Sequence, residues 1–132
     1  AAVDSRNVRF ERRDILEWDY PMADTIVLVD VLHYWPWDRQ RLAIAKACAA
    51  LRPGGTLVFR TTRPADTRRG RIAAWCDRLQ MRFGYYRGAE RPHPRPRGDY
   101  LQAFQAGGLR LLTEPPELAS GSNLAMILGK DR

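Results

Sequence analysis

The 132-residue sequence has little of several features that mark whole classes of protein. It contains two cysteines, Cys48 and Cys76, which are too few and too far apart to predict a disulfide framework or a metal site. We expect both thiols to be buried or partly buried. No apolar run approaches the about 20 residues that cross a bilayer, and residues 1–10 contain no apolar secretory core. The default expectation is therefore a cytoplasmic protein without a metal centre.

Lysine is also scarce, because the 22 basic residues include only Lys46 and Lys130. Hydrophobic residues make up 45 % of the chain, which excludes a disordered or collagen-like protein and suits one domain over residues 1–132. The net charge of +7 comes from residues 63–97, which hold ten arginines against three acidic residues. The rest of the chain is neutral, so the sequence predicts one basic segment on an otherwise balanced domain.

Paired glycines occur at two places, Gly54-Gly55 and Gly107-Gly108. Each pair follows a predicted helix and suits the end of that helix. The sequence has no glycine-rich turn between a strand and a helix, the device that lets backbone N–H groups approach a nucleotide closely.

The first half of the chain predicts a strand-helix-strand unit. "TIVLVDV" is apolar on both faces, which is typical of a strand in the middle of a parallel sheet with helices on both sides. "DRQRLAIAKACAALRPGG" predicts a helix with Asp38 as N-cap and a core face that includes Leu42, Ala45 and Ala49. "TLVFRTT" is the next strand. Before this unit, alternating residues predict a strand over 7–12.

The second half predicts a helix over residues 67–86, with Arg71, Arg78 and Arg82 as a basic stripe beside an apolar one. "RPHPRPRG" is extended because of its three prolines. "DYLQAFQAGG" predicts a short helix capped by Asp99, and "LRLLTEPPE" and "NLAMILGK" predict two antiparallel strands.

Five segments in chain order resemble the second half of a class I S-adenosylmethionine-dependent methyltransferase. They are "RFERRDI", "ADTIVLVDVLHYW", "ALRPGGTLVFR", "FQAGGLRLL" and "NLAMILGK". The resemblance implies an α/β fold with a partial Rossmann-like sheet, strands three to seven, mainly parallel with a C-terminal antiparallel hairpin. Leu109 stands where the family usually has phenylalanine. The first two strands and the glycine-rich loop have no counterpart, so we expect a fragment of a bacterial enzyme.

The resemblance also implies S-adenosyl-L-methionine as cofactor and assigns residues to it. Asp14 matches the acid that bonds the adenine amino group, Ile15 supplies the next backbone N–H, and Val29 lines the pocket. Asp14 as a turn cap is the alternative. Asp30 ends a buried strand, where ligands of open α/β sheets bind, although a strand-end cap is the simpler interpretation.

His33 is the one residue with the chemistry of a general base, because imidazole accepts a proton near neutral pH. The alternatives are a histidine that fixes the loop, and methyl transfer by alignment alone. Tyr34 and Trp35, with Trp37, suit an aromatic wall for a planar substrate or equally a packing role.

The basic segment 63–97 is interpreted as an insert or lid of the domain. It suits either a solvated face or a dock for an acidic carrier protein or an anionic membrane surface. The leading hypothesis is methyl transfer to a small or carrier-bound acceptor. The alternatives are a non-catalytic half-domain that self-associates or completes its fold with a partner chain, and an RNA-binding protein or RNA methyltransferase. No nucleic-acid module is present, which disfavours the last.

Overall fold

The computed structural model describes residues 7–64, 71–72, 75–76, 79, 92–119 and 123–132. Four strands and two helices have their full bounds within these residues. They are β1 (Ala23–Val29), α1 (Trp37–Ala50), β2 (Leu51–Thr62), α2 (Arg97–Ala106), β3 (Leu109–Thr113) and β4 (Asn123–Lys130), with a 3₁₀ turn at Leu32–Tyr34 between β1 and α1.

The strands form one sheet in the order β1-β2-β4-β3. β1 and β2 are parallel, with Val27 opposite Val58, which is the expected strand-helix-strand unit. β4 is antiparallel to both of its neighbours, so the hairpin predicted from the last two apolar runs is confirmed. The α/β class and the partial Rossmann-like sheet are thus present.

The strand predicted over residues 7–12 is not formed, and this prediction was wrong. Val8 is exposed and the Phe10 side chain is 92 % exposed. An alternating pattern forms a strand only where it pairs and buries its apolar side, and the described residues give this segment no partner strand. β1 lies at the edge of the described sheet, and one of the sheet's three strand pairings is parallel where we expected a mainly parallel sheet.

Helix α1 is present, but its orientation about its axis differs from the prediction. The predicted core residue Leu42 is 50 % exposed, and Ala45 and Ala49 are exposed as well. The buried positions are Gln40, Ala43, Ile44, Ala47, Cys48 and Ala50. Alanine-rich helices carry a weak amphipathic signal, so tertiary contacts decide the buried face. Asp38 lies in the first turn, beside Arg41, while Pro36 occupies the N-cap position.

Helix α2 begins at Arg97, after Pro96, so Asp99 is again a first-turn residue and not the cap. Its carboxylate binds Arg95 through two guanidinium nitrogens, at 2.6 and 2.8 Å. A first-turn carboxylate also favours the helix electrostatically. The helix ends at the predicted glycine pair, where Gly108 has a φ of 82°.

The core lies between one face of the sheet and the two helices. The aromatic rings of Tyr100 and Phe104 on α2 contact Phe59 of β2 at centroid distances of 4.9 and 5.1 Å. Each fully buried side chain of this size contributes about 1.5–3 kcal/mol. The opposite sheet face carries Val27, which is 60 % exposed, so the described helices cover one side only, not both as expected.

The helix predicted over residues 67–86 falls largely outside the described residues. Its described positions, 71–72, 75–76 and 79, are helical, and Ile72 and Trp75 are exposed. Cys48 is buried as predicted, whereas Cys76 is exposed, so the expectation of a buried or partly buried thiol was wrong for Cys76. Within the described part of the chain, no helix has the length and apolar content that crossing a membrane requires.

Candidate functional site

The backbone turns sharply at Asp30, directly after β1. Its φ of 55° is a left-handed conformation that non-glycine residues adopt at a cost and that recurs at functional sites. Its N–H donates to the Arg60 carbonyl oxygen at 3.0 Å, and its Oδ2 lies 3.2 Å from Arg60 Nη2. Asp30 Oδ1 and Arg60 Nε are buried and have no hydrogen-bond partner among the described residues. Asp30, a predicted site residue, therefore keeps one carboxylate oxygen that makes no hydrogen bond to the described residues.

His33 lies three residues further on, in the 3₁₀ turn, and is 5 % exposed. Its Nδ1 is 3.1 Å from the hydroxyl oxygen of Thr61, next to Arg60 on β2. Its backbone oxygen accepts a hydrogen bond from the N–H of His93 at 2.5 Å. The Tyr34 ring lies 4.3 Å from the imidazole. Asp30 thus lies at the carboxyl end of β1, as the sequence predicted, and His33 follows in the next turn. Their binding and catalytic roles stay predictions.

Three fully buried polar residues complete this edge, and the sequence did not reveal them. They are Gln40 on α1, Thr61 on β2 and Tyr100 on α2. Gln40 Nε2 donates to the carbonyl oxygens of Trp35 and His93 at 2.7 and 2.8 Å. The side-chain amide therefore ties the aromatic loop to the proline-rich segment.

Tyr100 extends the same network, because its hydroxyl donates to Gln40 Oε1 at 2.8 Å. Burial raises the pKa of the Tyr100 phenol, and a hydrogen bond with the Thr61 side chain acts in the opposite direction. The phenol therefore stays protonated at neutral pH. The only sequence signal for Tyr100 was its place four residues before Phe104 on the buried stripe of a helix.

The aromatic residues after His33 divide between packing and exposure. Trp35 packs against the core, and the ring of Trp37 meets Tyr100 edge-on at 5.6 Å. The Arg95 guanidinium covers Trp37 at 5.3 Å, a cation–π contact. Tyr34 is the exposed member of the group. Packing thus accounts for both tryptophans, and Tyr34 is the aromatic residue open to a ligand.

The second predicted cofactor segment, Asp14 and Ile15, forms a hydrogen-bonded turn. Asp14 Oδ1 accepts the N–H of Leu16 at 2.8 Å, and its carbonyl oxygen accepts the N–H of Trp18 at 2.8 Å. The turn is anchored by Tyr20, whose hydroxyl donates to the Ile15 carbonyl oxygen at 2.8 Å. Asp14 is exposed and borders a groove of about 530 Å³. The turn-capping role of Asp14 is therefore present, and its binding role stays a prediction.

The other residues predicted to belong to the site are Val29 and three arginines of the basic segment. Val29 is 38 % exposed, beside Asp30. Arg71 is exposed, while Arg78 and Arg82 lie outside the described residues. No three histidine, cysteine, aspartate or glutamate side chains gather as a metal site in the part of the chain that the structure describes.

Comparison with known proteins adds a fold assignment. No family model matches the chain, and no curated protein does. Solved structures do match. An O-methyltransferase family protein from Burkholderia thailandensis aligns with a TM-score of 0.70 and 20 % identity, over 96 % of this chain and 36 % of that one. Human N-acetylserotonin methyltransferase, in complex with S-adenosylmethionine, aligns with a TM-score of 0.65 and 19 % identity, over 96 % and 36 %.

The chain has a class I methyltransferase-like fold. Magnesium protoporphyrin IX methyltransferase from Synechocystis PCC 6803, solved with S-adenosylhomocysteine, shares this fold with a TM-score of 0.61 and 14 % identity, over 90 % of this chain and 49 % of that one. The chain thus spans about a third to a half of the length of these methyltransferases. In such a sheet, ligands bind beyond the carboxyl ends of the parallel strands, where Asp30 and His33 lie.

Proposed function

We propose that the chain carries the acceptor side of an S-adenosylmethionine-dependent methyltransferase that acts on a small or carrier-bound molecule with an ionisable hydroxyl or carboxyl group. The observation that supports this most is the position of His33. A buried imidazole, hydrogen-bonded to Thr61, stands at the ligand-binding edge of a methyltransferase-like sheet.

The residues around Asp30 fit a nucleoside-type donor. Asp30 Oδ1 is an acceptor that has no partner in the described part of the chain, suited to a hydroxyl or amino group. The adjacent Val29 offers exposed apolar surface to a ring. By resemblance to the family, Asp14 would supply a further carboxylate to the donor and Ile15 would supply a backbone N–H. The bound S-adenosylmethionine would provide an activated methyl group on a sulfonium sulfur.

His33 would hold the proton that the acceptor oxygen loses when that oxygen takes the methyl group. The bound donor would be left as S-adenosylhomocysteine. General-base help of this kind contributes about 10²–10⁴-fold to a rate. Tyr34, the exposed aromatic residue beside His33, would bound the acceptor site.

The proposal is tested by incubating the protein with S-adenosylmethionine labelled with ¹³C in its methyl group and a panel of phenols, carboxylic acids and carrier-bound thioesters. Mass spectrometry should find the labelled methyl group on one acceptor class and S-adenosylhomocysteine in equal amount. Labelled donor that survives unchanged with every acceptor, while a known methyltransferase consumes it, would contradict the proposal.

A second candidate, a half-domain that associates with itself or with a partner chain, is favoured by the uncovered sheet face. Val27 is 60 % exposed there, and β1 has no neighbour on its outer side among the described strands. Open strand edges and apolar faces promote association. Light scattering should show species larger than one chain, and Val27→Lys should reduce them. A clean monomer with a cooperative melting transition would rule this candidate out.

A further inference from the structure

Residues 92–96, here called the proline strap, are hydrogen-bonded to the loop that carries His33. Proline occupies positions 92, 94 and 96, so His93 and Arg95 are the two residues of the strap that have a backbone N–H. The fixed φ angles of proline make the strap stiff, and the missing N–H groups keep it out of a helix or a central strand. The strap therefore depends on a few specific bonds to stay in place.

His93 uses both of its backbone polar groups on these bonds. Its N–H donates to the His33 carbonyl oxygen at 2.5 Å, and its carbonyl oxygen accepts a hydrogen bond from Gln40 Nε2 at 2.8 Å. The same Gln40 nitrogen donates to the carbonyl oxygen of Trp35 at 2.7 Å. The loop and the strap are thus joined in one closed ring of hydrogen bonds, and the Gln40 amide is the group that reaches both.

The Gln40 side chain is fully buried and uses both of its polar atoms. Its two N–H groups serve the two carbonyl oxygens, because a carbonyl oxygen cannot donate. Its Oε1 accepts a hydrogen bond from the Tyr100 hydroxyl at 2.8 Å, which holds the amide from the other side. A buried polar group that loses its partner is costly. A side chain of the same shape without two N–H groups, such as glutamate, cannot make both bonds to the carbonyl oxygens.

Arg95 anchors the strap at a second point. Its guanidinium lies over the Trp37 ring at 5.3 Å and pairs with Asp99 of α2 at 2.6 Å. The Arg95 side chain is 42 % exposed, and contacts of both kinds are weak where solvent reaches them. The buried Gln40 bonds therefore contribute most to holding the strap against the loop.

We infer that Gln40 is a positioning residue for His33. By fastening the strap to the loop, its amide fixes the backbone from which the imidazole reaches Thr61. Gln40 itself touches no substrate, because its side chain is fully buried. The role of the imidazole as a base rests on the proposed function, whereas the tie between strap and loop does not.

Amide hydrogen exchange of the full chain, followed by ¹H–¹⁵N nuclear magnetic resonance, measures the tie without any substrate. Gln40→Glu keeps the shape of the side chain and removes its two N–H groups, so the His93 amide should exchange at least about tenfold faster than in the wild-type protein. Gln40→Met removes the same donors without adding charge and should have the same effect. The amides of β2, which is paired on both sides, report global opening and should change less than the His93 amide.

Two further variants separate the tie from general effects. Gln102→Glu adds the same charge at an exposed position of α2 and should leave the exchange of the His93 amide unchanged. Tyr100→Phe removes the bond to Gln40 Oε1 but keeps both N–H bonds, so its His93 amide should exchange more slowly than that of Gln40→Glu. A His93 amide that is unaltered in both Gln40 variants, or that accelerates only in step with the β2 amides, would overturn the inference.

The effect on His33 is measured by kinetics with an acceptor that the wild-type protein methylates. In both Gln40 variants kcat should fall by about tenfold to 100-fold, while KM for the acceptor changes little. The loss should shrink for acceptors that are already ionised, because these need no base, and Gln102→Glu should retain the wild-type kcat.

A wild-type kcat in a Gln40 variant whose His93 amide is no longer protected would overturn the positioning role. An equal loss of kcat for ionised and protonated acceptors would overturn it as well. If no acceptor is methylated while the His93 amide still loses its protection in the Gln40 variants, the proposed function fails and the tie stands.

Discussion

Asp30 and Arg60 are joined by both backbone and side chain across the parallel pair of strands. The Asp30 N–H donates to the Arg60 carbonyl oxygen at 3.0 Å, and Oδ2 lies 3.2 Å from Nη2. One oxygen and one nitrogen of the pair are buried and find no partner within the ranges that the structure describes. The strained turn at Asp30 is therefore held by β2, and it fixes the direction in which the chain enters the His33 loop.

We predict that Asp30→Asn lowers the free energy of unfolding by about 1–3 kcal/mol, because it leaves the partly buried Arg60 charge without its partner. Asparagine tolerates the positive φ, so the change isolates the charge. The control is Asp24→Asn at the other end of β1, where the ion pair with Arg52 is 80 % and 51 % exposed. Such a surface pair is worth about 0–1 kcal/mol. Equal losses for both variants in urea titrations would contradict this account.

We predict that Gly107→Ala destabilises the protein through a steric clash with α1. A Cβ atom at Gly107 would lie 2.5 Å from Cys48 Sγ and 2.7 Å from its Cβ. Overpacking of this kind costs about 1–3 kcal/mol.

The matched control is Gly98→Ala in the first turn of α2, the helix that ends at Gly107. A Cβ at Gly98 meets nothing within 4 Å. Alanine there should be neutral or stabilising by about 0.5 kcal/mol, because it has less freedom in the unfolded chain. Thermal melting of the two variants measures the difference. A Gly107→Ala protein as stable as Gly98→Ala would show that the two helices do not pack as closely as described.

The two cysteines should differ sharply in reactivity. Burial raises the pKa of the Cys48 thiol from 9.0 to about 11, an effect that nearby Lys130 partly opposes. The thiolate is the reactive form, so folded Cys48 should resist alkylation. Exposed Cys76 should react first with iodoacetamide, and Cys48 only after denaturation. Peptide mass spectrometry measures the extent of alkylation at each cysteine. Equal labelling of the native protein at the two positions would be incompatible with the described core.

The same thiol should make stability depend on alkaline pH. Its folded pKa is raised above its unfolded value, so the folded state keeps a proton that the unfolded state loses. Stability is therefore unchanged below a pH of about 9 and declines as pH rises from about 9 to about 11. Cys48→Ala should remove this part of the decline. Denaturation midpoints of the wild-type and Cys48→Ala proteins, measured between pH about 9 and about 11, test this. An equal decline of the midpoint with pH in both proteins would contradict the prediction.

The sequence predicted the parts of the fold that follow from local pattern. The apolar runs of β1, β2 and β4 marked strands, and the glycine pair at 107–108 marked the end of α2. Asp30 could be placed at the carboxyl end of a strand because it directly follows the apolar run of β1.

Other features depend on tertiary contacts that no local pattern records. The strand predicted over residues 7–12 fails because the described residues supply no partner, and α1 turns its Leu42 side outward. Gln40 and Tyr100 are 60 residues apart along the chain, and they become hydrogen-bonded only when α1 and α2 pack together. Thr61 meets His33, 28 residues away, only when β2 pairs with β1. A buried polar chain of this kind is visible in a structure alone.

We propose that His33 is the base of a methyl transfer, and the rate of that transfer in His33→Ala is the decisive measurement. With an acceptor that the wild-type protein methylates, kcat should fall by about 10²–10⁴-fold while the Kd for S-adenosylhomocysteine, measured by calorimetry, stays the same. The loss should shrink with acceptors that are already ionised at the assay pH. A variant that retains the wild-type kcat on a protonated acceptor would contradict the account.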